Sequence, residues 1–261
     1  MKIYFNILLL LLVQNVFSQI SPPGLGDTNA ASWYAMGLRQ KLDKANKIES
    51  MTYVGVGLKS DDDDYNLDSK PAILVLNEEI YHQLNDNWKL SYAASYRKQK
   101  EYNLNEFSEK EEIEIQQELR AYARISYSKK VGKFKFTQTA RQEFRRFVDD
   151  DWKNTENPLQ LRTRFKTQIA LNIDQAKKHS LSAGAEILFS SSIDNATKEW
   201  SKFQYKESRF TAAYTFRPKK LPIALSAGYM NNLIETHKTH AVHYASVDLV
   251  WENPFKLFSE N

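Results

Sequence analysis

The residues of this chain with the most chemical potential are arginines and glutamates set two apart. Arg141, Glu143 and Arg145 recur at i, i+2 and i+4; Glu118, Arg120 and Arg124 precede them, and Arg162 and Arg164 follow. Glu186, Arg209 and Asp248 stand in later segments of the same pattern. A spacing of two puts side chains on one face of a β-strand. Charges gathered on one face can neutralise one another as ion pairs, bind an anion through the arginine fork, or move protons. Signs alternate along and between these segments, so mutual neutralisation is the first expectation and an anion-binding pocket or arginine-lined pore the second. Proton chemistry ranks last, because no nucleophile accompanies it. The sequence has no G-x-S-x-G elbow, no Walker loop, no H-E-x-x-H pair and no cysteine.

These charges need strands to carry them, and alternation is what the surrounding sequence shows. Leu119, Ala121, Ala123, Ile125 and Tyr127 interleave with Arg120, Tyr122, Arg124 and Ser126. Leu159, Leu161, Phe165, Ile169, Leu171 and Ile173 oppose Arg162, Arg164, Lys166, Gln168 and Asn172. Segments 181–189, 209–216, 223–229 and 245–251 alternate in the same way, and period 2 fits each better than period 3.6. The apolar positions form one face and the charges the other. Arginine facing lipid at the bilayer midplane costs about 2–4 kcal/mol, so in a membrane-spanning barrel the charged face must line the lumen.

Composition agrees. Of 261 residues, 36 are Lys or Arg and 32 are Asp or Glu, a net charge of +4 too balanced for a nucleic-acid binder. Aromatics are abundant, with 14 Tyr, 14 Phe and 5 Trp. Residues 1–18 read as a signal peptide: Lys2, the apolar run Ile7 to Val13, then Val16-Phe17-Ser18 before Gln19. No later apolar run is long enough for a membrane helix. Mean hydropathy of −0.59 does not argue against a barrel, whose strands average lipid-facing and lumen-facing residues.

Short turns at 85–87, 128–132, 174–179 and 217–222 alternate with longer polar stretches at 60–71, 98–112, 147–158, 191–202 and 232–240. Outer-membrane barrels have this asymmetry, with short periplasmic turns and longer external loops. The fold class expected is therefore an all-β, antiparallel, up-and-down transmembrane β-barrel. Eleven strands can be counted, but single-chain bacterial barrels have even counts. Ten are expected to close, with twelve the alternative division. Residues 19–47 then form an N-terminal segment, a plug or a partial strand, followed by the barrel at 48–252 and a tail at 253–261.

Trp88 and Trp251 fall at strand ends facing the periplasm, where aromatic girdles occur. Asp61–Asp64 reads as a solvated loop tip; it lacks the ligand spacing and glycine of a calcium loop. His237, His240 and His243 recur every third residue, which sends neighbours to opposite strand faces and suits no metal. An outer-membrane lipid-modifying enzyme would need a His–Ser pair near the rim, yet His243 and Ser246 point opposite ways; His82 lies in a strand and His179 in a turn. The expected protein is thus not an enzyme and carries no cofactor or metal. Its expected partners are outer-membrane lipid, lipopolysaccharide and the barrel-assembly machinery, with no nucleic acid. A lipid-modifying enzyme and a soluble periplasmic β-barrel binding protein are the alternatives.

Glu118-Leu119-Arg120, Ala140-Arg141-Gln142-Glu143-Phe144-Arg145, Leu161-Arg162-Thr163-Arg164-Phe165 and Glu207-Ser208-Arg209-Phe210 occur in that order. This succession of E-x-R, R-x-E-x-R, R-x-R and E-x-R, after a Trp-bearing hairpin from Trp33 to Leu58, resembles an uncharacterised domain-of-unknown-function family of bacterial outer-membrane β-barrels. The resemblance covers about residues 30–252 and implies fold and location, but no activity. One departure is Gln142–Phe144 flanking Glu143, where the family's lipid face would be more uniformly apolar.

N-terminal sequencing of protein extracted from its native host is expected to begin at or near Gln19. A mature mass that includes residues 1–18 would count against the signal peptide.

Overall fold

The computed structural model describes residues 20, 22–26, 28–61, 64–104, 111–235 and 239–255; the signal-peptide reading falls outside them. Among these residues are eleven strands: β1 Ala30–Lys41, β2 Ile48–Lys59, β3 Lys70–Gln83, β4 Trp88–Leu104, β5 Glu111–Val131, β6 Phe134–Val148, β7 Asn154–Asn172, β8 His179–Ile193, β9 Gln204–Phe216, β10 Ile223–Glu235 and β11 Thr239–Glu252. Each pairs antiparallel with the next, and β1 closes the ring against β11.

That closure corrects the expected count. Ten strands from Ile48 were expected to close, with Trp33–Leu42 outside the ring; instead β1 is a full member. An odd number of up-and-down strands leaves the first and last running the same way, so their pairing is parallel, from Ala30↔His243 to Arg39↔Glu252. An open edge would leave a row of backbone N–H and C=O groups without partners, and closure removes both edges together.

Strands also extend into stretches expected to be loops. β4 runs to Leu104, β5 begins at Glu111, β7 begins at Asn154, and only 236–238 separate β10 from β11. Those at 98–102 and 154–157 are mostly polar on both faces, so period 2 leaves little hydropathy signal in them. Backbone pairing, not side-chain burial, sustains them.

The turns have their own chemistry. In 43–47, 149–153 and 174–178 an Asp opens the turn and its carboxylate accepts backbone N–H groups four or five residues on. The residue three after it takes positive φ: Asn46 at 53°, Trp152 at 63° and Lys177 at 54°. At Asp174 the N–H of His179, then that of Lys178, holds the carboxyl below the usual carboxylate range.

Large apolar side chains are exposed on the outer face of every strand. Examples are Met36, Val54, Leu76, Tyr92, Ile125, Phe144, Phe165, Ile187, Phe210, Tyr229 and Val247. Trp88 and Trp251 are exposed near the short-turn rim, and Trp88 lies 5.0 Å from the Tyr127 ring. The outward polar residues of β6 and β7 bond to each other: Thr163 donates to Gln142 at 2.6 Å and Thr167 to Gln138 at 2.8 Å.

Inside, the ring is divided. An apolar cluster, including Trp33, Met51, Ile73, Val75, Met230 and Tyr244, occupies the β1–β3 and β10–β11 side. Gly55 makes room for it, since a Cβ there would fall inside the Trp33 indole. Part of the N-terminal segment (Ile20, residues 22–26 and Thr28) joins this cluster through Ile20 and Leu25. It touches inward residues of β4, β9 and β11, so it runs within the lumen toward the long-loop end, where Thr28 meets Ser60. The N-terminal region thus supplies both a plug and a strand.

The seam can be tested directly in this cysteine-free chain. Met36 and Leu249 are partners across β1 and β11. Met36→Cys with Leu249→Cys is expected to cross-link on mild oxidation, and Val54→Cys with Leu249→Cys is not. The reverse result would place β2 against β11 in a ten-stranded ring.

Candidate functional site

The inward charges lie in rows set by the register. Ser95, Arg120, Arg145 and Gln160 are successive partners on β4–β7; the next row is Ala93, Tyr122, Glu143 and Arg162, and the next Ser91, Arg124, Arg141 and Arg164. Arginine therefore stands directly opposite arginine in three pairings, Arg120↔Arg145 in one row and Arg124↔Arg141 and Arg141↔Arg164 in another. Like charges so placed repel. Each clash is relieved by a glutamate wedged from the neighbouring row.

Glu118 is the first wedge. Its Oε1 accepts from Arg120 Nε at 2.6 Å and Arg145 Nε at 2.8 Å, and its Oε2 from Arg145 Nη2 at 2.8 Å and Arg97 Nη1 at 3.2 Å. Glu143 is the second and is wholly buried. Its Oε1 lies 2.7 Å from Arg141 Nε and 2.8 Å from Arg164 Nε, and its Oε2 3.7 Å from Arg120 Nη1. Arg120 links the two. The Arg141 guanidinium also lies 3.5 Å from the centre of the Tyr122 ring.

Three smaller groups extend the network. Glu79 takes Arg124 at 2.8 Å, the Tyr122 hydroxyl at 3.0 Å and the Ser91 hydroxyl at 2.6 Å. Glu186 lies 3.5 Å from Arg164. Glu207 holds Arg209 at 2.8 Å, the Asn232 amide at 2.8 Å and Arg162 at 3.7 Å.

Of the residues singled out in the sequence, Glu118, Arg120, Arg141, Glu143, Arg145, Arg164 and Glu186 are thus connected. Arg124 is drawn to Glu79, and Arg162, though directly opposite Glu143, pairs with Glu207. Asp248 is buried on β11, between Ser226 and Ala35, on the far side of the ring from both wedges. Sequence reasoning missed Glu79, Arg97 and Glu207 as members. The spacing Asn77, Glu79, Tyr81 on β3 and Glu207, Arg209 on β9 carries the same period-2 signal.

The network also holds the N-terminal segment. Arg97 donates Nη2 to the Gly24 carbonyl at 3.2 Å and Arg209 donates Nη1 to the Pro22 carbonyl at 3.4 Å; the Leu25 N–H donates to the Tyr244 hydroxyl at 3.0 Å. A Cβ on Gly24 would sit 2.8 Å from Arg209 Nη2, so a larger residue there would push the guanidinium aside. The described histidines engage elsewhere: His82, His179 and His243 meet tyrosine hydroxyls, and His240 the Thr28 carbonyl.

Removing a wedge exposes the clash it relieves. Glu143→Gln should cost about 3–5 kcal/mol, the usual loss when a buried ion pair is broken from one side. Glu143→Gln combined with Arg141→Leu should cost less than Glu143→Gln alone, read as thermal unfolding in detergent. Equal or greater loss in the double variant would mean Glu143 does not serve to neutralise the arginines.

Several solved structures are similar in outline. Outer-membrane expressed OmpT of Vibrio cholerae matches at 10% identity and a TM-score of 0.38, over 72% of this chain and 55% of its own. The anion-selective porin from Comamonas acidovorans matches at 10% identity and a TM-score of 0.28, over 77% of this chain and 55% of its own. The chain therefore spans little more than half the length of either, and at such scores the likeness carries no argument. No curated protein matches. A family model described as "Protein of unknown function (DUF2490)" matches residues 30–243, from the first strand into the last. With most of its length inside that match, this chain belongs to the DUF2490 family.

Proposed function

We propose that the protein is a non-enzymatic outer-membrane β-barrel whose lumen is closed, so that it braces the membrane or holds a small ligand rather than conducting. The observation that carries this reading is the inversion of the two faces. Large apolar side chains ring the outside on every strand, and Glu118, Glu143, Arg120 and Arg209 are buried within. An apolar band this extensive, exposed on every strand, supports a membrane-facing surface. Strands of twelve residues or more reach across about 30 Å of hydrocarbon at a barrel's tilt. The mutual hydrogen bonds of Gln142 with Thr163 and Gln138 with Thr167 suit lipid, where an unbonded polar group costs several kcal/mol. Closure is supported by the N-terminal segment in the long-loop half of the lumen and by the arginines bonded to its carbonyls. With the short turns on the periplasmic side, the long-loop end faces outward, toward lipopolysaccharide. Outer-membrane lipid and the barrel-assembly machinery are the partners such a surface implies.

Three measurements test this. The protein should fractionate with the outer membrane and resist a salt wash. Leu161→Arg should fail to assemble and Arg162→Leu should still insert, because only the first places a charge against acyl chains. Planar bilayers containing the purified protein should show no steady conductance. Recovery in a soluble fraction, or assembly of Leu161→Arg as well as wild type, would overturn the membrane reading, and a stable open channel would overturn closure.

A further inference from the structure

Below the N-terminal segment the lumen is not filled. A cavity of about 470 Å³ runs from Arg97 and Arg120 in mid-barrel to Asp86 and Asn87 in the turn between β3 and β4. Asp86 and Lys130 in its wall are exposed, so it opens at the short-turn end. Its far end is stopped by Ile20 and Pro22. The volume falls in the range of pockets for small organic ligands, about 300–1,000 Å³.

The two sides of this chamber differ in chemistry. Tyr53 and Tyr81, half-buried on β2 and β3 over the buried Trp33, Met51 and Val75, give it an apolar and aromatic wall. Across the ring, Arg124, Arg141 and Lys166 on β5–β7 give it a cationic one. Among the described lining residues, eleven are Lys or Arg and four are Asp or Glu. The excess is concentrated at the mouth. Lys130 and Lys135 are direct cross-strand partners there. Neither Lys135 nor Lys89 has a carboxylate within ion-pair distance among the described residues; the Lys89 ammonium lies 5.4 Å from the centre of the Tyr81 ring. A barrel that needed only bracing would match its charges. This one matches them around Glu118 and Glu143 and leaves them in excess toward the mouth.

We propose that the chamber binds an amphipathic organic anion, a carboxylate with an apolar chain or ring, its charge at Lys89 and Lys135 and its apolar body along the Tyr53–Tyr81 wall. A cation is repelled by the lining, a neutral molecule leaves the lysines uncompensated, and an inorganic anion leaves the apolar wall uncovered. The inference rests on the closed lumen proposed above, since a through-pore has no blind end to retain a ligand.

The test is calorimetric titration of the wild-type protein in lipid nanodiscs, with empty discs subtracted. The probes are octanoate, acetate and octyltrimethylammonium. Octanoate should bind saturably at one site, acetate at least tenfold more weakly, and the ammonium not at all. Lys89→Gln with Lys135→Gln should weaken octanoate binding at least tenfold; Lys44→Gln with Lys219→Gln, in turns at the same rim, should leave it unchanged. Saturable binding of the ammonium, equal binding of acetate and octanoate, or no saturable octanoate binding would each overturn the proposal, as would indifference to the Lys89/Lys135 change. Should that double variant fail to assemble, the three probes on the wild type decide alone. Conductance of the same preparation separates the two readings: no binding in a non-conducting barrel defeats the ligand and leaves closure standing, and no binding in a conducting one defeats both.

Discussion

Arginine faces arginine at the centre of this barrel, and most of the interior follows from how that is tolerated. Two guanidinium groups directly opposed on hydrogen-bonded strands repel, and water cannot screen them once they are buried. Glu118 and Glu143 each reach from an adjacent row to bond a pair of them, Arg120 with Arg145 and Arg141 with Arg164. The wedges work only in one register. A slip of one residue on β5 or β6 would turn every charge outward and every apolar side chain in. The ion pairs therefore specify alignment, and the apolar outer face enforces it from the other side.

Once the arginines are spent on carboxylates along one edge, their remaining donors decide what else enters the lumen. Arg97 and Arg209 bond carbonyls of the N-terminal segment, and Gly24 permits the approach. The apolar half of the ring receives Ile20 and Leu25. A segment with apolar side chains and free carbonyls suits a lumen with one greasy wall and one wall of donors.

Much of this could be read from the sequence, for a definite reason. Where a strand crosses between two environments, period 2 is written in hydropathy, and the facing of Arg120, Arg141, Glu143 and Arg162 followed from it. Where both faces are polar, as in residues 98–102 and 154–157, the period vanishes and strands read as loops. Glu79 was hidden because Glu78 beside it carries the same charge, and Arg97 because its neighbours are nearly all polar. Closure was invisible for a different reason. The pairing of β1 with β11 joins the ends of the chain, and no local pattern records which edges meet; the even-count expectation then set β1 aside.

The parallel seam also bears on the order in which the barrel is made. Every other strand pair is a hairpin, closed by a connection of ten residues or fewer, whereas β1 and β11 must find each other across nearly the whole chain. Such long-range contacts carry the largest loop-closure cost and form late. The described residues ahead of β1 lie inside the finished ring, so they need never be threaded through it; they need only be on the concave side of the growing sheet when the last strand arrives. Their bonds to Arg97 on β4 and Arg209 on β9 can form while the sheet is still open. The segment is then a mandrel around which the sheet curls, and its own retention is fixed at the moment the seam shuts.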